Sequence, residues 1–216
     1  MVEWKTQTLE LMKALSNPRR NKILHFAEEP ITVKELAEKM DEKPSRLYYH
    51  VNKLVEAELL EVVDTKQQGN LVEKYYKTNT DDLYFKGDVQ LLAEHMPEAL
   101  AAFHQVLDPG IKLYEKNLQA IQEMQASGDL DNNKYPYQVS VSRWSTRSTA
   151  KEWHAFFGKL LKAMGKLEEG EPLPELPRTL SIEEENEKGS YEYILLSYRI
   201  EDAEKLGLIG WDGEDE

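Results

Sequence analysis

Six side chains between residues 45 and 53, namely Ser45, Arg46, Tyr48, Tyr49, His50 and Lys53, have types and spacing that could do recognition chemistry. Counted at 100° per residue along a helix, Leu47, Val51 and Leu54 fall on one apolar side. Ser45, Arg46, Tyr49, Asn52 and Lys53 then face outward, with Tyr48 and His50 at the borders. An outward arginine can read guanine edges, tyrosine and histidine can reach phosphates or base edges, and serine can bond a backbone phosphate. The plain alternative is an ordinary solvated helix face. A second polar group, Lys66, Gln67, Gln68, Gly69 and Asn70, could follow an adjacent backbone or minor groove, although polar hairpin tips are the rule in any protein. The candidate DNA-binding residues are therefore Ser45, Arg46, Tyr48, Tyr49, His50, Lys53, Lys66, Gln67, Gln68 and Asn70.

Other chemistry finds little support. There is no Gly-rich phosphate loop, nucleophile elbow or metalloprotease pair, and the carboxylates lie in acidic runs without apolar shielding, so an enzyme is not expected. With no cysteine, disulfides and thiolate metal sites are excluded, and a reducing cytoplasm is the natural setting. His95 and His104 stand nine apart and, with Asp88 or Glu94, could suggest a helix-borne zinc sensor, but that spacing forms no compact ligand pair. Neither a metal nor a cofactor is expected. Trp144, Trp153 and His154 could line an effector pocket, or simply be core, so no effector residues are assigned. Arg19 and Arg20 sit in a helix's first turn, where positive charge opposes the dipole, which leaves a phosphate contact or a buried ion pair as their task.

The 216 residues carry a net charge of −13, which looks wrong for a nucleic-acid binder. Its distribution matters more: residues 1–80 hold 13 basic and 13 acidic side chains, and residues 81–216 hold 14 and 27. The first part is free to present a local basic face. Glu3, Lys5 and Glu10 do not make a secretory signal, and the longest stretch without charge, residues 99–107, is too short to cross a bilayer. The chain is expected to be cytoplasmic, with no membrane partner.

The elements that must position these residues follow from local signals. Trp4, Thr8, Leu11/Met12 and Leu15 predict a first amphipathic helix ending near Ser16. Asn17-Pro18 starts a second, to about residue 28, with Ile23, Leu24 and Ala27 inward. Thr32 and Glu35 form a capping box that opens a short helix through Met40, and Pro44 starts another in which Leu47, Val51, Leu54 and Val55 face inward. Two short helices joined by a tight turn make a helix-turn-helix. Residues 59–64 and 71–78 read as strands with a polar turn at 65–70, the hairpin wing of a winged-helix domain.

Beyond residue 81, Leu92, Met96, Leu100, Phe103 and Leu107 give one helical stripe, and Ile111, Tyr114, Leu118 and Ile121 another. Asp108-Pro109-Gly110 separates them, and Pro97 kinks or restarts the first. Gly128 and Asn132-Asn133 mark a loop. A strand at 135–145, a helix at 148–167 and a strand at 190–200 give β-α-β order, the helix turning Trp153, Phe156/Phe157, Leu160/Leu161 and Met164 inward. Residues 168–189 read as a flexible acidic loop, and 211–216 as a frayed tail. The fold class is α+β: a winged helix-turn-helix domain at 1–80, a helical dimerisation segment at 81–130, and a small C-terminal β-α-β effector or dimerisation domain at 131–216.

The runs Ala14-Leu15-Ser16-Asn17-Pro18-Arg19-Arg20-Asn21-Lys22-Ile23-Leu24, Thr32-Val33-Lys34-Glu35-Leu36-Ala37 and Ser45-Arg46-Leu47-Tyr48-Tyr49-His50-Val51 to Leu54 resemble, in order and spacing, the ArsR-like winged-helix regulators. The resemblance covers residues 11–78. It implies a homodimeric repressor whose helix at 44–57 enters the major groove of double-stranded DNA, with a possible small-molecule effector. Two departures stand out. The cysteines that metal-sensing members carry at the helix beginning Val33-Lys34-Glu35 are absent, which removes soft-metal sensing. Glu58 also stands where the family usually turns the chain with glycine. Residues 4–15 and 88–126 would build the dimer. The rival reading is an acidic winged-helix module that docks other proteins without binding DNA.

Overall fold

The computed structural model describes residues 5–7, 9–68, 71–79, 83–87, 89–131, 134–165, 167–168, 170 and 181–210. The chain divides into two compact units. The larger comprises Gln7–Asp81, Gly87–Val139 and Tyr198–Glu216, and the smaller Met1–Thr6, Asp82–Lys86 and Ser140–Ser197.

In the larger unit, α1 (Leu9–Leu15) buries Leu11, Met12, Ala14 and Leu15. The helix expected from Trp4 onward starts later, because the short strand β1 (Lys5–Gln7) precedes it and pairs with β5 (Leu83–Gly87), a partner far along the chain. Trp4 and Thr8 lie outside the described residues. In α2 (Pro18–Phe26), Asn17 is the N-cap, its side chain accepting from the Arg20 N–H, while Ile23 and Leu24 are buried. The strand β2 (Ile31–Thr32) leads into α3 (Val33–Lys39), which opens on the capping box read from Thr32 and Glu35. The Glu35 N–H donates to Thr32 Oγ1 at 3.2 Å and the Thr32 N–H donates to Glu35 Oε2 at 2.8 Å. Those bonds hold the Glu35 carboxyl below the usual carboxylate range.

In α4 (Pro44–Glu56), Leu47, Val51 and Leu54 have no exposed surface. Val55, expected inward, is 36% exposed, because the fully buried row leaves it at the edge of the contact. The helix closes in a Schellman motif: the Leu59 N–H donates to Leu54 O at 2.8 Å and the Glu58 N–H to Val55 O at 3.0 Å. That motif needs a left-handed residue, and Glu58 takes it with φ 56. Glutamate thus occupies the conformation for which glycine is suited.

The wing consists of β3 (Leu60–Gln68) and β4 (Leu71–Thr78), with β2 completing a three-stranded sheet in the order β2-β4-β3. Both pairings are antiparallel, Ile31 opposite Tyr76 and Leu60 opposite Thr78, with a register shift between Val62 and Asp64. β4 has its expected bounds, whereas β3 runs past its expected end. Thr65, Lys66, Gln67 and Gln68 are paired strand residues and not a turn, since backbone pairing to Lys74, Glu73, Val72 and Leu71 does not require apolar side chains. The Thr78 N–H donates to Ala27 O and its hydroxyl to Leu24 O, both at 2.7 Å, which ties the wing to the end of α2.

After α5 (Val89–Glu94), a single 32-residue helix, α6 (Met96–Ser127), replaces the two expected segments. Pro97 lies in its first turn, where a missing N–H costs nothing. Asp108-Pro109-Gly110 does not break the helix. An interior proline costs about 3 kcal/mol or more, and here Pro109, Gly110, Leu113 and Asn117 are buried on the side of α6 that packs in this unit, where α1 and α9 (Ile200–Lys205) lie against the helix. Leu113, Ala203 and Leu208 form a small core there, with Tyr137, Val139 and Tyr198 packed on it. The Tyr137 N–H donates to Asn117 Oδ1 at 3.1 Å and the Gln138 N–H to Asp202 Oδ2 at 2.9 Å, so both buried polar side chains are satisfied. Gly210, at φ 63, abuts Pro18: a Cβ there would stand 2.3 Å from the Pro18 carbonyl oxygen.

The smaller unit has the expected β-α-β order: β6 (Val139–Thr149), α7 (Ala150–Ala163) and β7 (Lys188–Tyr198), with β6 and β7 paired. Thr149 and Glu152 make a second capping box that starts α7 two residues later than expected. Of the residues expected inward on α7, Leu161 is buried, whereas Phe156, Leu160 and Met164 are 39–60% exposed, because a two-stranded sheet covers only a narrow stripe. The expected acidic loop is partly ordered: α8 (Ile182–Asn186) begins at a third capping box, Ser181 with Glu184. Residues 171–180 and the expected tail 211–216 lie outside the described residues.

Relaxing the left-handed cost at Glu58, about 1 kcal/mol, is testable: Glu58→Gly is expected to raise the urea midpoint, and an unchanged or lowered midpoint contradicts the account.

Candidate nucleic-acid interface

The buried row on α4 fixes its roll, and the outward row follows. Ser45, Arg46 and Lys53 are exposed, Tyr48 is 53% and Tyr49 61% exposed, and His50 is half-buried at the border. These six side chains thus share one element, and all but His50 are exposed to an incoming surface.

Their electrostatic situations differ. The Lys53 ammonium donates to Glu56 Oε2 at 2.5 Å, and that bond raises its pKa. His50 Nδ1 is buried without a hydrogen-bond partner among the described residues. Burial chiefly, then Arg19 and Arg20, press its imidazole below the usual histidine range, with Glu42 opposing them. His50 therefore meets a ligand at neutral pH as a neutral ring, set edge-on to Tyr49 at 5.3 Å.

Arg19 and Arg20 divide the tasks that their position left open. Arg19 Nε donates to Glu42 Oε1 at 2.7 Å, an ion pair joining α2 to the turn before α4. Arg20 Nε donates to Ala14 O at 2.8 Å, and its Nη2 donates to Lys13 O, so the guanidinium satisfies the free carbonyls at the end of α1. No phosphate is needed to explain either arginine.

On the wing, Lys66 and Gln67 point to opposite faces, because successive strand side chains alternate. Lys66 Nζ sits 4.4 Å above the Tyr75 ring and donates to its hydroxyl at 3.3 Å, so it is already engaged within the hairpin. Gln67 stands opposite Val72, and Gln68 opposite Leu71. Asn70 and Gly69 lie outside the described residues. Sequence reasoning missed two exposed lysines beside this surface, Lys34 on α3 and Lys74 on β4. For Lys74 the signal was present in the alternation of β4, where Val72, Lys74 and buried Tyr76 share a face, but it needs the hairpin register to be seen.

Elsewhere, His95 pairs with Glu98 at 3.9 Å and His104 with Asp108 at 3.4 Å, each within its own turn of helix. Among the described residues no group of three or more His, Asp or Glu gathers as a metal site. In the smaller unit, Trp144 stacks on Tyr193 at 5.4 Å and Trp153 on Tyr191 at 5.3 Å, with Trp144 still 41% exposed. No described helix is long and apolar enough to cross a membrane.

Residues 15–63, spanning α2, α3, α4 and the start of β3, match a family model described as a helix-turn-helix domain. This segment is a helix-turn-helix domain of the ArsR-like kind. α4, which carries Arg46 and Tyr49, lies within the matched segment, and the match points to a DNA-binding transcriptional regulator. No curated protein matches the chain.

The lowered pKa of half-buried His50 sets a pH dependence. An unfolded histidine titrates near 6.5. With the folded value below it, the unfolded chain takes up the proton first, so stability is complete above that range and falls as pH drops through it. Urea melts at pH 7.5 and pH 5.5 are expected to show a loss that His50→Gln reduces; equal losses in both chains would remove His50 as the cause.

Proposed function

We propose that the chain is a dimeric repressor that reads operator DNA with α4 and tracks its backbone with the wing. The helix-turn-helix domain with Arg46 and Tyr49 exposed on its second helix carries this reading. Arg46 makes no ion pair among the described residues, so it can take a guanine edge or a phosphate without breaking an internal contact. Ser45, Tyr48, His50 and Lys53 flank it, and Lys66, Gln67, Gln68 and Asn70 extend the contact along the wing. His50 and Tyr48 supply hydrogen bonds; Lys53 and Lys66 must exchange Glu56 and Tyr75 for phosphate.

The dimer rests on α6. Met96, Leu100, Phe103, Ile111, Tyr114 and Leu118 are 37–58% exposed and fall within about 80° of one another around the helix. With Val106 beside them, they amount to roughly 600 Å² of apolar surface per protomer, against the ~800 Å² each partner buries in a standard interface. On α1, Leu11, Met12, Ala14 and Leu15 are already buried in the chain, where α1 packs against α6, so these four side chains are not available for this purpose. Pairing of two copies would set the two α4 helices about one DNA turn, ~34 Å, apart on a near-palindromic operator. Residues 1–80 thus serve DNA binding, helices within 81–130 the dimer, and 131–216 the regulation of affinity by a small-molecule effector or by dimer geometry. The protein works in the cytoplasm.

Fluorescence anisotropy with random and self-promoter duplexes across a salt series tests the DNA reading. Wild type is expected to bind with a steep salt dependence and promoter preference, and Arg46→Ala/Tyr49→Ala to lose at least tenfold in affinity together with the preference. No binding at low salt would transfer the reading to a protein-docking winged helix, which the net charge of −13 favours. Size-exclusion light scattering at micromolar concentration is expected to give the dimer mass, reduced to the monomer by Leu100→Glu/Leu118→Glu; a wild-type monomer would end the dimer proposal.

A further inference from the structure

The wing and α4 enclose an open cleft of about 300 Å³ on the flank of α4 that carries Tyr48 and Asn52. Lys34 enters it from the start of α3, Tyr48 and Asn52 from one flank of α4, and Val72, Glu73 and Lys74 from β4. Tyr48 is the one residue it shares with the candidates read from the sequence. Three elements, α3, α4 and β4, thus converge on one small polar space.

Its charge is suited to a single anion. Lys34 and Lys74 line it with one acidic residue, Glu73, and Glu35, next in the chain after Lys34, adds a Coulombic attraction to that lysine. Neither lysine has a carboxylate within ion-pairing distance among the described residues, in contrast to Lys53, which is held by Glu56, and Lys66, which is held by Tyr75. An incoming oxyanion therefore gains both cations without displacing an internal partner. The Tyr48 hydroxyl and the Asn52 amide add neutral donors on the α4 side. The volume is at the lower limit for a small-molecule pocket, and the lining is largely polar, which disfavours an apolar effector.

A second cleft of about 410 Å³ touches α4 at Tyr49 and Lys53, on a flank turned about 100° from Tyr48 and Asn52. Glu10 and Glu56 line it beside Lys13 and Lys53, and Arg20 there is spent on backbone carbonyls. Two carboxylates and an internally paired lysine make it the poorer anion site. The cleft beside the wing is the one the chemistry selects.

We propose that this cleft clasps one backbone phosphate of the bound duplex, with Lys34 and Lys74 as its cations and Tyr48 and Asn52 as its neutral donors. The proposal rests on the DNA-binding reading above. A strand that follows the groove edge beside α4 passes between that helix and the wing, where these side chains wait. Such a contact positions the protein on the duplex and carries no sequence information, so its loss weakens all duplexes alike.

The test is duplex anisotropy across a potassium chloride series, with promoter and random DNA. Lys34→Ala/Lys74→Ala is expected to lower the slope of log affinity against log salt by about 0.9, the value of one phosphate contact, with the promoter-to-random ratio unchanged. Lys34→Arg/Lys74→Arg should keep the slope, and Tyr48→Phe should lose a few-fold in affinity at unchanged slope, since it removes a donor without a charge. An unchanged slope in the alanine pair, with wild type binding normally, overturns the clasp and leaves the DNA reading intact; absence of wild-type binding overturns both. Inorganic phosphate replacing chloride at matched ionic strength separates the two sources of this anion. If it competes with duplex in wild type but not in the alanine pair, the cleft belongs to free phosphate and the proposal is wrong.

Discussion

The complete burial of Leu47, Val51 and Leu54 is the constraint on which the recognition surface depends. Each removes an aliphatic side chain from water, at about 1.5–3 kcal/mol for full burial, and all three lie on one side of a helix that has no side-chain N-cap of its own. The roll of α4 is set by that row against α2 and α3, and any rotation that hid Arg46 or Tyr49 would expose it. The outward face is therefore a consequence of the core. It does not need to stabilise anything, which leaves its residue types free for recognition.

The cations of the larger unit fall into two groups. Arg19 holds Glu42, Arg20 closes the end of α1, Lys53 holds Glu56 and Lys66 lies over Tyr75. Arg46, Lys34 and Lys74 have no ion-pair partner among the described residues. An acidic chain can still present a usable positive surface if the cations that face one edge are the ones left without carboxylates, because screening confines each charge's influence to about 8–10 Å.

What could be read in advance was what short-range chemistry decides. Thr32 with Glu35, Asn17 before Pro18, and Pro44 at a helix start each act within three or four residues, and each appears where the pattern placed it. The hairpin was legible too, but its first strand runs on through Thr65 to Gln68, since a solvated ladder needs no apolar code. The departures have a common cause in distant partners. Asp108-Pro109-Gly110 carries every local signal of a break, yet Pro109 and Gly110 are buried within a continuous helix that packs with α1 and α9. Residues 5–7 read as helix and form a strand because β5, some eighty residues on, pairs with them.

The sequence by itself determined the helix-turn-helix, its wing, the roll of α4 and hence the outward Arg46 and Tyr49, because helical period and caps are properties of a few adjacent residues. Tertiary structure alone decided that Arg20 serves a backbone, that His50 is neutral, and that Lys34 and Lys74 line one cleft with Tyr48. Burial, pairing and convergence depend on what other segments bring to the same place. No window of sequence contains that information.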